Sequence, residues 1–337
     1  MPGTNESRVA ASRLEALPRL ALGHFPTPLI RMRQLERALS AGRELWVKQD
    51  DYSGPGFGGN KVRKLEYELA AAVEAGATEV LTVGGIRSNH CRITAALAAR
   101  LGLGCGLVLN GSVPVQGVGE PASHAMDRWF GAEVRYVEHG SERASAMARW
   151  AGELQSAGGR PYMIPLGAST PLGACGFVRA VLELRGQCDS MGWRPGTIVH
   201  ATSSAGTQAG MLAGLWLAGW EDVEVTGVSA DDSAVVIGAE VRRLVRGVEG
   251  LLGVPEGMVT APVRVEDGYI GDGYGVPSEA GREAARFLAR SEGVVIDPVY
   301  TAKAMAGLLA NVERWGTGPL VFWHTGGQLA NFVLGPV

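Results

Sequence analysis

The chain has 337 residues, of which 46% are hydrophobic and 19% are charged, and its net charge is −3. This size and composition predict one large or two modest globular domains. The sequence contains neither a basic cluster typical of nucleic-acid or membrane binding nor an apolar run of about 18 residues that would span a membrane.

The N-terminal segment does not resemble a signal peptide, because Glu15, Pro18 and Arg19 interrupt its apolar stretch. The four cysteines show no CxxC spacing, which is typical of free thiols in a reducing compartment. The six histidines form no paired metal-ligand motif. We therefore expect a cytoplasmic protein without a metal site.

Short β-branched runs alternate with alanine- and leucine-rich segments along the chain. The predicted strands cover 79–83, 105–109, 133–137, 196–201, 223–228 and 319–324, and the predicted helices include 88–102, 206–219 and 278–293. Such alternation predicts βαβ units, and hence an α/β fold with parallel sheets covered by helices on both faces. The Gly/Pro-rich stretch 110–122 is predicted to be a surface loop.

Three glycine-rich segments follow predicted strands, namely VGGIRSNH at 83–90, ATSSAGTQAG at 201–210 and HTGGQ at 324–328. Ligands of open α/β sheets bind beyond the carboxyl ends of the strands, so we expect these segments to converge on one site. Ser88 is a candidate N-cap for the helix that follows it. Asn89 and His90, in the first turn of that helix, would face the region above the sheet edge.

The segment 200–212 is typical of an anion pocket at a helix start. The backbone N–H groups of its loop, together with the hydroxyls of Ser203, Ser204 and Thr207, would bind a phosphate. A well-capped helix start would give the same pattern. No Walker lysine follows the loop, which argues against a nucleoside triphosphate.

The segment FGGNKVRKLE, residues 57–66, holds two of only four lysines in a chain with 27 arginines. Asn60 is a candidate N-cap, and Lys61 falls in the first helical turn, where the dipole and desolvation lower a lysine pKa. Such an amine attacks carbonyls, so we predict a Schiff base on Lys61 and a solvated Lys64. A Schiff-base lysine and a phosphate pocket together indicate pyridoxal 5′-phosphate.

These segments, in this order, resemble the D-cysteine desulfhydrase and 1-aminocyclopropane-1-carboxylate deaminase family over about residues 26–330. The motifs that carry the resemblance are PTPL (26–29), KQDD…GGNKVRKLE (48–66), GGIRSNHCRITAALAARLGL (84–103), SSAGTQAG (203–210), GYGVPSEAG (273–281), DPVYTAKAM (297–305) and FWHTGG (322–327). The resemblance implies a fold type II, tryptophan-synthase-β-like enzyme with two domains of open twisted sheets and flanking helices. It further implies a homodimer, a large cofactor domain formed by 1–64 and 176–337, and a small inserted domain at 65–175.

The resemblance also implies a role for each matching residue. The implied cofactor residues are Lys61 (covalent attachment), Asn89 (ring oxygen), Ser204, Ala205, Gly206 and Thr207 (phosphate), and Thr301 and Thr325 (near the pyridine nitrogen). The implied substrate and catalytic residues are Ser88, Asn89 and His90 (carboxylate loop and proton movement), Lys61 (general base), and Tyr274 and Tyr300 (proton donors).

The activity implied is α,β-elimination, with D-cysteine giving pyruvate, ammonia and hydrogen sulfide. Deaminase members carry glutamine and glutamate where this chain has His90 and Thr301, which favours elimination over ring opening. The alternatives are a lyase for L-cysteate or another β-substituted amino acid, the deaminase itself, and a cofactor-binding protein without turnover. A serine hydrolase is disfavoured because the chain lacks a GxSxG motif.

The sequence departs from the family pattern at several positions. Arg87 stands where glutamine is usual; it would select an anionic β-substituent if it faced the cleft, or it points away from the cleft. Ser203 and Ala205 replace typical phosphate-loop glycines, and Ala168 stands where a second glycine is common.

Overall fold

The computed structural model describes residues 5–39, 42–112 and 120–334. The helices in these ranges are α1 (Asn5–Ala16), α2 (Arg33–Leu39), α3 (Asn60–Glu74), α4 (Asn89–Leu101), α5 (Ala122–Trp129), α6 (Arg143–Ser156), α7 (Pro171–Met191), α8 (Gly206–Ala218), α9 (Ala234–Leu252), α10 (Glu279–Glu292) and α11 (Thr301–Ala310). The strands are β1 (Leu29–Arg31), β2 (Leu45–Gln49), β3 (Glu79–Gly85), β4 (Gly104–Asn110), β5 (Glu120–Pro121), β6 (Glu133–Val137), β7 (Pro161–Ile164), β8 (Thr197–Thr202), β9 (Glu224–Ser229), β10 (Arg264–Glu266), β11 (Leu320–His324) and β12 (Val333–Leu334).

The larger sheet has six strands in the order β1–β2–β11–β8–β9–β10. All neighbours are parallel except β1, which pairs antiparallel with β2 at the edge. Trp323 pairs with Lys48 on one side and with His200 on the other. The carboxyl ends of β2, β11 and β8 therefore lie along one edge of the sheet.

The smaller sheet has four parallel strands in the order β6–β4–β3–β7. Gly85 pairs with Asn110 at the carboxyl ends of the two central strands. A separate antiparallel pair joins β5 to β12. Of the loop predicted at 110–122, residues 113–119 lie outside the described residues, and the segment that follows them begins with β5.

Helices cover both faces of each sheet, so the central strands are buried on both sides. Phe322 and Trp323 are neighbours on β11 and point to opposite faces, where they join two different hydrophobic clusters. Leu107 and Val108 are neighbours on β4 and likewise belong to two different hydrophobic clusters, one on each face of the smaller sheet. Near-continuous apolar runs such as 319–324 are explained by this two-sided burial. The predicted α/β fold with open parallel sheets and flanking helices is confirmed.

Helices α3 and α7 connect the two sheets and pack against each other. Helix α3 is buried around most of its circumference, including its charged side chains. The Arg63 guanidinium donates to Asp50 at 2.8 Å and to Glu183 at 2.9 Å, which compensates for its burial. Within the described ranges, no helix combines the length and the apolar character needed to cross a membrane.

Candidate active site

A cavity of about 260 Å³ opens where the carboxyl ends of strands from both sheets meet. The carboxyl end of β4 and the loops that follow β3, β8, β9 and β11 all contribute to its wall. The lining residues are Asn60, Lys61, Gly85, Ser88, Asn89, His90, Asn110, Arg143, Leu166, Gly167, Ala201, Thr202, Ser203, Ser204, Ala205, Thr207, Asp231, Tyr274, Tyr300, Thr325 and Gly326. This is the position at which parallel α/β sheets bind their ligands.

Most residues predicted for the site lie together in this wall. They are Lys61, Ser88, Asn89, His90, Ser204, Ala205, Thr207, Tyr274, Tyr300 and Thr325. Gly206 lies just behind the wall: a Cβ there would be 2.8 Å from Ser169 Oγ and 2.9 Å from Lys64 Nζ. The absence of a side chain at Gly206 therefore lets two polar groups approach the start of α8.

A glycine turn places Lys61 in the cavity. Gly58 has a φ of 61°, and a Cβ at this position would collide with the Asp51 carbonyl oxygen. The helix N-cap is Gly59 rather than the predicted Asn60, whose N–H donates to the Thr325 carbonyl at 2.9 Å. Burial lowers the pKa of the Lys61 amine to about 8, although neighbouring groups partly offset this effect.

The prediction that Lys64 is solvated is wrong. Its side chain is fully buried, with Nζ 3.1 Å from Ser169 Oγ and 3.3 Å from the Gly167 carbonyl oxygen. Burial, reinforced by the charge of Lys61, holds the pKa of Lys64 well below its usual value. The contact of α3 with α7 encloses this face of the helix, and the local sequence pattern does not show that contact.

The segment between β8 and α8 forms a small-residue cradle beside Lys61. Ser204 Oγ accepts a hydrogen bond from Ser169 Oγ at 2.8 Å, and Thr207 Oγ1 accepts one from Asn60 Nδ2 at 3.0 Å. A Cβ on Gly167 would lie 2.5 Å from Ser204 Oγ and 3.4 Å from Lys61 Nζ. The open helix start, the hydroxyls and the adjacent amines fit a ligand that carries both a phosphate and an aldehyde.

The start of α4 forms a second polar surface of the cavity. Ser88 is its N-cap, as predicted, with Oγ accepting from the Cys91 N–H at 3.2 Å. Asn89 Oδ1 accepts from Arg92 Nη1 at 2.8 Å, and His90 Nε2 lies 2.7 Å from Thr82 Oγ1. Burial, and then the charges of the two nearby lysines, place the pKa of His90 well below its usual value, so its imidazole is neutral at pH 7.

Two tyrosines meet at the cavity wall. The hydroxyls of Tyr274 and Tyr300 are hydrogen-bonded to each other, and their rings meet edge to face with centroids 5.9 Å apart. The Asp297 carboxylate accepts from the Val299 and Tyr300 N–H groups at 2.9 Å and so fixes the backbone of Tyr300. Burial, and then the neighbouring Tyr274, raises the pKa of Tyr300 well above its usual value, so its hydroxyl keeps its proton at neutral pH.

Two residues that the sequence placed in the site lie elsewhere. Thr301 is buried, and its hydroxyl donates to Asp297 Oδ1 at 2.6 Å, because it belongs to the capped start of α11 rather than to the cavity wall. Arg87 is exposed in the turn before α4 and does not line the cavity. The position of Thr301 does not support the cofactor contact that the resemblance implied, and Arg87 has the outward orientation, one of the two that the sequence left open.

Three polar wall residues, Asn110, Asp231 and Arg143, lie outside the segments that were predicted to form the site. Asn110 ends β4 and Asp231 follows β9, so the strand-end rule would have found both. Asp231 accepts from Ser203 Oγ at 2.6 Å, and burial raises its pKa. Arg143 begins α6 and has no local sequence signal. Among the described residues, no group of three His, Cys, Asp or Glu side chains is placed to hold a metal ion.

Comparison with known proteins gives consistent matches over nearly the whole chain. Residues 20–326 match the family model of pyridoxal-phosphate dependent enzymes. D-cysteine desulfhydrases from Salmonella newport (strain SL254) and Salmonella typhi are each 38% identical over 328 residues, which is 96% of this chain and 98% of each relative. The crystal structure of an ACC deaminase homologue matches with a TM-score of 0.87 and 32% identity over 96% of both chains. Maize serine racemase shares the fold, with a TM-score of 0.64 and 17% identity over 96% of this chain and 93% of that one.

Proposed function

Since the chain belongs to the family of pyridoxal-phosphate-dependent enzymes, we propose that it is a lyase that eliminates the β-substituent of an amino acid, with D-cysteine as its preferred substrate. One observation carries this proposal: Lys61, whose pKa is lowered to about 8, shares a cavity with a phosphate cradle and a tyrosine pair. The 38% identity to D-cysteine desulfhydrases over 96% of the chain supports the choice of substrate.

The cofactor is held by residues from both sheets. The start of α8, with Ser204 and Thr207, would hold its phosphate, and the Lys64 amine behind Gly206 lies beside the same helix start. Asn89 and Thr325 line the same cavity; as the family resemblance implies, Asn89 would donate to the ring oxygen and Thr325 would lie near the ring nitrogen. Pyridoxal 5′-phosphate, when bound, supplies an electron sink for the negative charge that develops at the substrate α-carbon.

The α-carboxylate of the substrate binds at the start of α4. Ser88 Oγ accepts from the Cys91 N–H, and its hydroxyl hydrogen can rotate to donate to a carboxylate oxygen. The positive end of the helix dipole favours an anion at this position. The imidazole of His90 is neutral, so it adds no positive charge that would retain the carboxylate of the product.

Two proton transfers by side chains complete the elimination. Lys61, as a neutral amine, takes the α-proton, and at pH 7 a group with a pKa of about 8 is neutral in about a tenth of molecules. The Cβ–S bond breaks with its electron pair on sulfur, and the hydrogen-bonded tyrosines deliver a proton to the leaving thiolate. D-cysteine and water thus become pyruvate, ammonia and hydrogen sulfide, with Lys61 and the tyrosines returned to their starting states.

The second candidate is deamination of 1-aminocyclopropane-1-carboxylate, because the structure with a TM-score of 0.87 is an ACC deaminase homologue. The neutral Thr301 no longer argues against it, since Thr301 lies outside the cavity wall. His90, where deaminases carry glutamine, remains the distinguishing residue. Release of 2-oxobutyrate at a rate that exceeds pyruvate release from D-cysteine would favour this candidate.

The proposed function is tested by activity and by covalent mapping. Purified protein is assayed for pyruvate from D- and L-cysteine and D-serine, and for 2-oxobutyrate from the cyclopropane substrate. Borohydride reduction followed by peptide mapping is expected to find the pyridoxyl group on Lys61. Label on Lys64 instead, or absence of pyruvate from every β-substituted substrate, would refute the assignment.

We further propose a cytoplasmic homodimer with two domains in each chain, 1–64 with 176–337, and 65–175. Every strand of the six-stranded sheet falls in the first set, and every strand of the four-stranded sheet in the second, which supports this division. Large apolar side chains exposed at Tyr52 and Trp129 support burial by a second chain. The four cysteines are free, as in a reducing compartment. Light scattering coupled to gel filtration measures the oligomeric state.

A further inference from the structure

Among the described residues that line the cavity, one is an arginine, and the mechanism above gives it no role. Arg143 is the first residue of α6, and its half-buried side chain reaches the wall beside Asn110. A cation in the first turn of a helix opposes the helix dipole. The energetics of α6 alone therefore do not explain an arginine at this position.

The hydrogen bonds of Arg143 go to neutral acceptors. Nη1 donates to Asn110 Oδ1 at 3.2 Å, and Nε donates to the Gly140 carbonyl at 2.9 Å. In the part of the chain that the structure describes, no carboxylate forms an ion pair with this guanidinium, whereas the inward-facing Arg63 pairs with two carboxylates. Arg143 thus keeps donors and an uncompensated charge for a ligand.

Arg143 lies toward the tyrosine pair rather than the phosphate cradle. A Cβ placed on Gly85 would lie 3.9 Å from Asn110 Oδ1 and 4.0 Å from the Tyr274 hydroxyl oxygen. Both polar groups therefore lie close to Gly85, at the end of β3. Tyr274 is about half exposed; its partial burial raises the pKa of its hydroxyl, and the charge of Arg143 acts against that rise. Asp231, the acidic residue of the wall, is bonded to Ser203 next to the phosphate cradle and is not paired with Arg143.

We infer that Arg143 and Asn110 form the subsite for the β-substituent and that this subsite accepts an oxyanion such as a sulfonate. The inference rests on the proposed function, in which the amine is held near Lys61 and the carboxylate at α4, so that the β-substituent extends toward the tyrosines. A sulfonate offers three acceptor oxygens to the guanidinium, whereas a thiol is neutral and needs no cation. In the elimination, the Cβ–S bond breaks with its electron pair on sulfur, sulfite leaves, and no external oxidant or reductant is required.

The test compares D-cysteine with both enantiomers of 3-sulfoalanine. The proteins are the wild type, Arg143→Gln, Arg143→Lys and, as a matched surface control, Arg87→Gln. The measurements are kcat/KM for pyruvate release, and Kd from the change in cofactor absorption on adding each amino acid. Loss of a charge-assisted bond in Arg143→Gln is expected to lower kcat/KM or affinity for the sulfonate about tenfold to hundredfold more than for D-cysteine. Arg143→Lys should lose less, and Arg87→Gln should keep the wild-type ratio.

Three results would overturn the inference. Equal losses for both substrates would mean that Arg143 binds the common α-carboxylate or supports the fold. Wild-type kcat/KM and Kd for D-cysteine and both sulfonates in Arg143→Gln, or no binding of either sulfonate enantiomer to the wild type, would mean that the subsite does not take an oxyanion. If D-cysteine released no pyruvate, the proposed function would fail, but the Kd ratios would still decide the role of Arg143.

Discussion

Lysine occupies four positions in this chain, and none of the four side chains is exposed to bulk solvent. Lys48, Lys64 and Lys303 are fully buried, and Lys61 is partly buried at the cavity wall. Burial lowers the pKa of each of them. Arginine remains charged when buried, so it cannot replace an amine that must lose its proton. The scarcity of lysine could therefore be used to find the site, although it could not distinguish Lys61 from Lys64.

The pKa of Lys61 predicts how the stability of the cofactor-free enzyme varies with pH. Its folded-state pKa of about 8 lies below the ordinary value of 10.5, so the unfolded chain binds more protons between these values. The contribution of Lys61 to stability is complete above pH 10.5 and is lost as the pH falls through about 8. At pH 7, Lys61→Met is expected to stabilise the cofactor-free protein by about 3 kcal/mol, an advantage that disappears near pH 10.5.

Urea unfolding of the cofactor-free wild type and Lys61→Met at several pH values measures this difference. Lys48 and Lys303 are present in both proteins, so their contributions cancel, whereas the pKa of Lys64 rises when the charge of Lys61 is removed and adds to the gain at pH 7. A gain from Lys61→Met that stayed constant across the pH range would show that packing, rather than the depressed pKa, causes it.

Arg92 is expected to act on catalysis through Asn89. It is fully buried, its Nη1 donates to Asn89 Oδ1 at 2.8 Å, and its Nε donates to the Gly56 carbonyl at 2.8 Å. This contact turns the Asn89 amide so that its N–H₂ group remains free to donate to the cofactor. Arg92→Met should therefore lower kcat about tenfold to hundredfold by misplacing the amide.

A double-mutant cycle separates positioning from a general structural role. If Arg92 acts through Asn89, adding Arg92→Met to Asn89→Ala should cost little beyond Asn89→Ala alone. Additive losses in the double variant would show that Arg92 supports the site independently of Asn89. The absorption spectrum of the bound cofactor in each single variant gives a second readout that does not depend on turnover.

At the scale of single elements, the start of α8 carries backbone strain. Ala205 has a φ of 63° and a ψ of −32°, a conformation that residues with a Cβ rarely adopt. The family resemblance implies glycine here, and the positive φ gives the physical reason. The strain of about 1–3 kcal/mol exceeds the value of one buried methyl group, about 0.8 kcal/mol. Ala205→Gly is therefore expected to stabilise the protein by about 1 kcal/mol.

Urea unfolding of the cofactor-free protein measures this effect, with Ala209→Gly as the control within the same helix. Ala209 is buried in the helix interior, so glycine there should destabilise the protein by about 1 kcal/mol or more. A loss of stability in Ala205→Gly as well would show that packing of the Ala205 methyl outweighs the strain of its backbone.

Strands with a strong apolar pattern could be predicted from the sequence, whereas short edge strands could not. The central strands β3, β4, β8 and β11 are buried on both faces and therefore read as apolar runs. Strands β1 and β10 have three residues each and exist because a neighbouring strand pairs with them. Their sequences contain too few residues to show a period.

At the scale of the molecule, adjacency in sequence to a site residue did not indicate which charged side chains face the cavity. Arg87 adjoins Ser88 in the chain but is exposed, while Arg143 reaches the cavity from another helix. The turn before α4 turns Arg87 outward, and the pairing of β3 with β4 brings Asn110 and its partner Arg143 next to Gly85. Such contacts depend on the pairing of distant segments, which no local pattern records.

Residues that follow strands of both sheets line the cavity, so a bound cofactor is expected to contact both sheets and to stabilise their relative position. Segment 84–90, at the end of β3, and segment 203–207, after β8, both contribute to the cavity wall and belong to different sheets. Removal of the cofactor eliminates the contacts that both segments make with one rigid ligand, while the hydrophobic clusters around each sheet stay intact. A ligand at a hundred times its Kd stabilises the folded state by about 2.7 kcal/mol, and this is the stabilisation that removal should abolish.

Hydrogen exchange of the enzyme with and without cofactor tests this expectation. Without cofactor, exchange should accelerate in 84–90 and in 203–207 together, and remain unchanged in the central strands β4 and β11. The Lys61→Ala variant, which cannot hold the cofactor covalently, should show partial protection of the same two segments when cofactor is added. Faster exchange confined to 203–207 would mean that the cofactor contacts the six-stranded sheet alone. The start of α4 would then not belong to the cofactor site, and the carboxylate position proposed there would lose its basis.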